Sequence, residues 1–359
     1  MRIILTVYAA VIILIAAGIL WGVLPSASGE EETGEIITLN GAGATFPSPV
    51  YRVWAYKYTE IREGEVRVNY QGLGSGAGIN QIRSGTVDFA GTDHPLGADV
   101  LEEEGLFQFP MLTGGVVLIV NIPGIGNHEL KLDSDVLAGI YLGKIREWDD
   151  PAIRALNPDL KLPSLKITVI RRSDSSGTSF IFTDYLSRVS KEWAEKVGRG
   201  SAVKWPVGLG GQKNPGVCNS VSKISGAIGY TEYTYASEGG LSCVRLKNRS
   251  GQFVKAEPDS FRAAAANADW RNAPGFCMNL NDMPGETAWP IVGVTYLLVR
   301  KQSLEKSRSD ALFRYFNWCF QSGAASAEKL KYVPLPDFLC DLIRTEWERQ
   351  AGKREQVTP

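Results

Sequence analysis

Three observations predict an α/β fold with mainly parallel strand pairing. From residue 35 onward, short strand-like runs alternate with helical ones. Residues 115–121 are apolar almost throughout, the pattern of a strand buried on both faces. Three strand ends also pass through glycine- and hydroxyl-rich loops straight into helices. A chain of 359 residues, 44% hydrophobic and 21% charged, has the length of two domains and can bury a sizeable core.

The elements follow in order. Residues 36–39 read as a strand. Val50, Val53, Trp54, Tyr58 and Ile61 recur on one face of a helix, for which Gly64 supplies the stop. Residues 66–70 alternate apolar and polar as a half-buried strand does. Residues 79–84 form a short helix and 87–92 a strand. Residues 166–170 are a strand again, and 180–189 a helix with Phe182, Tyr185, Leu186 and Val189 on one side. The joins near Thr113-Gly114-Gly115 and Trp289-Pro290 are the candidate hinges.

The three loops share one chemical character. They are Gly41-Ala42-Gly43-Ala44-Thr45-Phe46-Pro47-Ser48-Pro49, Gly72-Leu73-Gly74-Ser75-Gly76-Ala77-Gly78 and Arg171-Arg172-Ser173-Asp174-Ser175-Ser176-Gly177-Thr178. At a helix N-terminus the backbone N–H groups lack partners and the macrodipole is positive, so such an end accepts an anion. Glycine lets the backbone approach closely. One loop of this kind is an ordinary N-cap, whereas three together point to an oxyanion of unspecified identity. None is a Walker A, a complete dinucleotide GxGxxG or a GxSxG elbow.

Composition narrows the function further. The 38 basic and 39 acidic side chains give a formal charge of −1, with no basic excess to hold nucleic acid. Only His94 and His128 are present, and no cysteine pair forms CxxC, which argues against a zinc site. Cys218, Cys243, Cys277, Cys319 and Cys340 are odd in number, so at least one lacks an intramolecular partner, and any pairing stays open. After Arg2, 22 uncharged residues (3–24) precede a small-residue segment and three glutamates. Residues 1–28 therefore read as an export signal or, at a length that can span a bilayer, a retained anchor. The body is placed outside the cytoplasmic membrane.

The loop residues also carry a resemblance. Leu39 to Pro47, Val68 to Gly76, Val87-Asp88-Phe89, Tyr141-Leu142-Gly143-Lys144-Ile145 and Trp205-Pro206-Val207-Gly208 resemble the periplasmic phosphate-binding proteins that feed the high-affinity ABC-type phosphate importer. The resemblance covers about residues 37–348. It implies a two-lobed, type II Venus-flytrap fold with mixed, mainly parallel sheets and a hinge. Residues 36–114 and 291–348 would form lobe 1, 115–290 lobe 2, and 349–359 a tail. The implied function is binding of one inorganic phosphate without catalysis, cofactor or metal, and delivery to a membrane permease with its cytoplasmic ATPase. The protein would be a periplasmic monomer, or one held at the membrane by an uncleaved helix. The implied ligand set is Ala44, Thr45, Phe46, Ser75 and Asp93 from lobe 1, with Arg172, Ser176, Gly177 and Thr178 from lobe 2. Asp174 would hold Arg172. The competing expectations are a sulfate or molybdate carrier and an exported phosphatase. His94 follows Asp93 where a small residue is familiar, and alternation along a strand would turn it away from the cleft.

Overall fold

The computed structural model describes residues 36–301 and 306–355. The expected export signal or anchor at 1–28 lies outside them, as does the end of the tail. Among the described residues no helix is long and apolar enough to cross a membrane, and the five cysteines are free thiols.

The main strands are β1 (Ile37–Gly43), β2 (Val66–Gly72), β3 (Phe89–Thr92), β4 (Leu106–Asn121), β5 (Thr168–Arg172), β6 (Leu209–Gly211), β7 (Ala227–Glu232) and β8 (Val292–Arg300). They lie in one ten-stranded sheet in the order β2-β1-β3-β8-β4-β7-β5-β6, with Ser242–Cys243 and Val333–Pro334 added on β4. Each wing is parallel: β1 with β2 and β3, and β5 with β6 and β7. The middle is the antiparallel part of this mixed sheet. Strand β8 is antiparallel to both β3 and β4, and β4 is antiparallel to β7. The reason is that β4 runs from one wing into the other, while β8 returns beside it to the first wing.

Strand β4 has 16 residues, 15 of them buried, and changes partner along its length. Residues up to Gly115 pair with β8, and Val116 to Asn121 pair with β7. The apolar run 115–121 is only its second half. Gln108, Pro110 and Thr113 interrupt the pattern earlier, although these positions are strand too. Pro110 stands at a bulge, where the register with β8 slips between Thr295 and Tyr296. A bulge tolerates the missing proline N–H and re-aims neighbouring side chains.

Helices α1 (Ser48–Ile61), α2 (Ser75–Arg83) and α3 (Gly177–Val189) follow β1, β2 and β5 through the three loops. The expected helices at 50–61, 79–84 and 180–189 thus begin two to four residues earlier, directly on the loops. Apolar spacing marks only the packed part of a helix, and the first turns here are small and polar.

Gly43 is the node between the first two loops. Its φ is +136°, and its carbonyl accepts the Leu73 and Gly74 amides, each at 2.8 Å. A Cβ there would stand 2.1 Å from the Gly91 carbonyl oxygen. Gly43→Ala is expected to destabilise the protein by about 1–3 kcal/mol, the scale of a strained backbone residue. Urea denaturation measures it; a loss below ~0.5 kcal/mol, the range of an ordinary surface substitution, would mean that the strand end relaxes freely.

Candidate anion-binding site

The ends of β1, β3 and β5 and the starts of α2 and α3 converge. Ser75 opens α2 and is buried. Its Oγ accepts the Asp93 amide at 3.2 Å and the Gly177 amide at 3.2 Å, joining the two wings at one hydroxyl. The Gly76 amide also reaches the Ser175 carbonyl at 3.2 Å. Gly177 is required here: a Cβ would lie 2.4 Å from Ser75 Oγ and 2.6 Å from Asp93 Oδ2.

The loop 44–46 is held by three tyrosines. Tyr70 donates to the Ala44 carbonyl at 2.8 Å, Tyr235 to Thr45 at 2.7 Å and Tyr332 to Phe46 at 2.7 Å. Burial raises all three phenols, so they remain protonated donors. A trans peptide points its N–H opposite to its C=O. Fixing the carbonyls of 44 and 45 therefore fixes the N–H groups of Thr45 and Phe46 on the other side, and Pro47 has no N–H to misdirect. Ala44 plays a different part: its N–H goes to the Gly91 carbonyl at 2.8 Å, so this amide is spent within the protein. The Thr45 hydroxyl is buried and has no partner.

Asp93 is 2% exposed. Its Oδ1 accepts from Thr295 at 2.8 Å, the residue re-aimed by the β4–β8 bulge, while its Oδ2 has no partner. Burial pushes its pKa up to about 7, against the Thr295 hydroxyl and the Arg172 charge. Arg172, 2% exposed, is clamped by Asp174 through Nε at 2.8 Å and through a second, short contact from Nη2. Its Nη1 donates to Asn214 Oδ1 at 3.1 Å and lies 3.5 Å from Thr178 Oγ1. Burial alone would raise the pKa of Asp174, yet the guanidinium and the Lys213 amide hold it below the ordinary value. Ser176 caps α3 by accepting the Ser179 amide at 3.1 Å. Thr178 is fully buried.

Sequence reading missed Asn214, Thr295 and the three tyrosines. Asn214 is fully buried with its Nδ2 unpartnered. It opens a fourth strand–glycine–helix junction, Leu209-Gly210-Gly211 into Lys213–Lys223, a signal of the same kind as the other three. Thr295 and the tyrosines lie far away in sequence and carry no local mark. His94 stands just after β3 with Nδ1 2.9 Å from Ser201 Oγ and its ring stacked on Phe180, centroids 3.9 Å apart. It bridges the wings at the rim, and burial followed by the Arg199 charge lowers its pKa.

The PBP superfamily domain matches residues 28–321. The chain is 46% identical to the phosphate-binding protein PstS of Pasteurella multocida over 326 residues, covering 91% of this chain and 94% of the other. It is 44% identical to PstS of Xylella fastidiosa, covering 88% and 86%. Among solved structures, a high-affinity periplasmic phosphate-binding protein (PfluDING) bound with phosphate at pH 8.5 has a TM-score of 0.67 at 20% identity, covering 86% and 93%. The chain belongs to the PstS family of phosphate-binding proteins, within the PBP superfamily.

Proposed function

We propose that the protein binds one inorganic phosphate ion outside the cytoplasmic membrane and hands it to an ABC-type importer, without catalysing a reaction on it. The observation that carries this reading is Asp93: a buried carboxyl with one oxygen left without a donor, beside a helix N-terminus and an arginine. A carboxylate in a dry anion site is repulsive unless the anion brings a proton. Phosphate retains one through neutral pH, whereas sulfate has none to offer. The ligand set is Thr45, Phe46, Ser75 and Asp93 with Arg172, Ser176, Gly177 and Thr178, the Gly177 amide exchanging Ser75 Oγ for the anion on binding. Ala44 shapes the loop, Asp174 orients Arg172, and Asn214 joins the set through its free Nδ2. Arg172 is paired with Asp174, so binding rests on dipoles and hydrogen bonds more than on net charge. Residues 36–114 and 291–348 act as lobe 1 and 115–290 as lobe 2. The partner change in β4 at Gly115–Val116 supports a hinge there. The protein works as a periplasmic monomer whose closed form docks on the permease.

Arg172→Ala is expected to weaken phosphate binding by about 1.5–3 kcal/mol, the scale of a hydrogen bond to a charged group. Calorimetric titration measures it, and an unchanged affinity removes Arg172 from the site.

Closure couples the lobes to the ligand, because the closed state gains its second set of contacts only when the anion is present. Small-angle scattering of residues 29–359 should show a smaller radius of gyration at saturating phosphate, with a raised melting temperature. An unchanged radius at saturation confirmed by calorimetry contradicts the hinge.

Asp93 sets two pH dependences. Its folded pKa lies above its unfolded value, so its burial costs nothing at low pH and destabilises the phosphate-free protein as pH rises from about 4 to about 7. Asp93→Asn should flatten that decline. Below about 7 the protonated carboxyl can itself donate, and sulfate then becomes acceptable. Competition titrations should therefore show the phosphate-over-sulfate preference falling between pH ~8 and ~5, either side of the Asp93 pKa, and low in Asp93→Asn throughout. A variant with wild-type preference at both pH values would leave Asp93 as a turn residue.

A further inference from the structure

Glu232 ends β7 and caps the short helix Tyr233–Glu238. It is fully buried. Three contacts surround its carboxyl, and counting their protons decides its charge. Oε1 receives the Thr234 amide at 2.9 Å and faces the Thr234 hydroxyl at 3.1 Å. That hydroxyl has a single proton and lies closer, at 2.6 Å, to the Leu330 carbonyl. Oε2 faces the Tyr332 hydroxyl at 3.0 Å, whose only proton lies closer to the Phe46 carbonyl at 2.7 Å. Each hydroxyl can serve only one of its two acceptors, and in both cases the shorter contact assigns its proton to the carbonyl. An ionised Glu232 would keep one assured donor, the Thr234 amide, for a fully buried charge, and such a carboxylate is strongly disfavoured.

We propose that Glu232 is a neutral carboxylic acid that carries its proton on Oε2 and donates it to Tyr332 Oη, while Tyr332 donates to the Phe46 carbonyl. Glu232 is thereby a positioning residue for the 44–46 loop, across the junction of the wings and without touching the anion. The titratable groups around it are Asp93, Tyr332, Tyr233, Tyr235 and Cys218. The nearby cations Arg52 and Arg172 act on Tyr235. Burial first, and the Asp93 charge in the same direction, push Glu232 up to about 8, against the pull of Thr234 and Tyr332. The chain of protons is therefore present below that pH and lost above it. A phosphate anion held beside Asp93 strengthens the preference for the neutral form.

The link to affinity rests on the phosphate reading of the cleft, whereas the proton itself can be read without ligand. Infrared difference spectra of the phosphate-free protein, wild type minus Glu232→Gln, should show a protonated carboxylic-acid carbonyl stretch at pH ~7 that disappears as pH rises past ~8, following the Glu232 titration. A carboxylate signature at pH ~7 overturns the proposal whatever the ligand. In calorimetry, Glu232→Leu should lose about tenfold or more in phosphate affinity, the cost of an orphaned buried hydroxyl. Glu232→Gln, whose amide can donate from the Oε2 position, should recover most of that loss. Wild-type affinity should also fall between pH ~7.5 and ~9, either side of that titration, more steeply than that of the Gln variant. Equal losses in the Leu and Gln variants, or parallel pH profiles, would overturn the positioning role. If the Leu variant does not fold, the spectra and the wild-type and Gln profiles still decide.

Discussion

Everything around the cleft answers to the burial of one carboxyl. Asp93 is kept out of water with one oxygen served by Thr295 and the other by no protein group, a costly arrangement for a charge. Its neighbours limit that cost without removing it. Arg172 lends charge but is already clamped by Asp174, and Ser75, whose lone pairs accept two amides, lowers the carboxyl only as a weaker influence. The result is an acid balanced between its two protonation states near neutrality.

The second constraint is the orientation of peptide planes. Three phenols seize three successive carbonyls, and they come from different parts of the chain: Tyr70 from β2, Tyr235 from the helix after β7, and Tyr332 from the C-terminal segment. Side chains from both wings thus aim the backbone of a single loop. An anion-binding loop built on glycine alone would be adaptable, whereas this one is held by buried phenols that cannot ionise in any ordinary pH range. Such pre-organisation lets donors meet a dry ion without paying for reordering.

Much of this was legible from the sequence, and the limits have physical causes. The strand–loop–helix junctions at Gly41, Gly72 and Arg171 announced themselves because helix starts need glycine and small hydroxyls at fixed offsets. The fourth junction at Gly210-Gly211 follows the same rule but hides in a three-residue strand too short to show alternation. The antiparallel middle of the sheet was not legible. Pairing direction depends on where a distant strand returns, and the polar and proline interruptions of β4 masked its first half. Thr295 was out of reach for the same reason, since a bulge between two strands far apart in sequence aims it. His94 was expected to face away from the cleft, and it does not touch the carboxyl beside it. It spans the rim instead, because the strand ends at Thr92 and alternation no longer governs the next residues.

Strand β4 belongs to both halves of the molecule at once, with each of its ends stitched into a different set of neighbours. Neither half can be cut free as a self-sufficient body, because either cut leaves a row of buried amides and carbonyls unsatisfied. Heating should accordingly melt the molecule in a single cooperative event and not as two independent modules. A protease would find no harmless linker at that crossing.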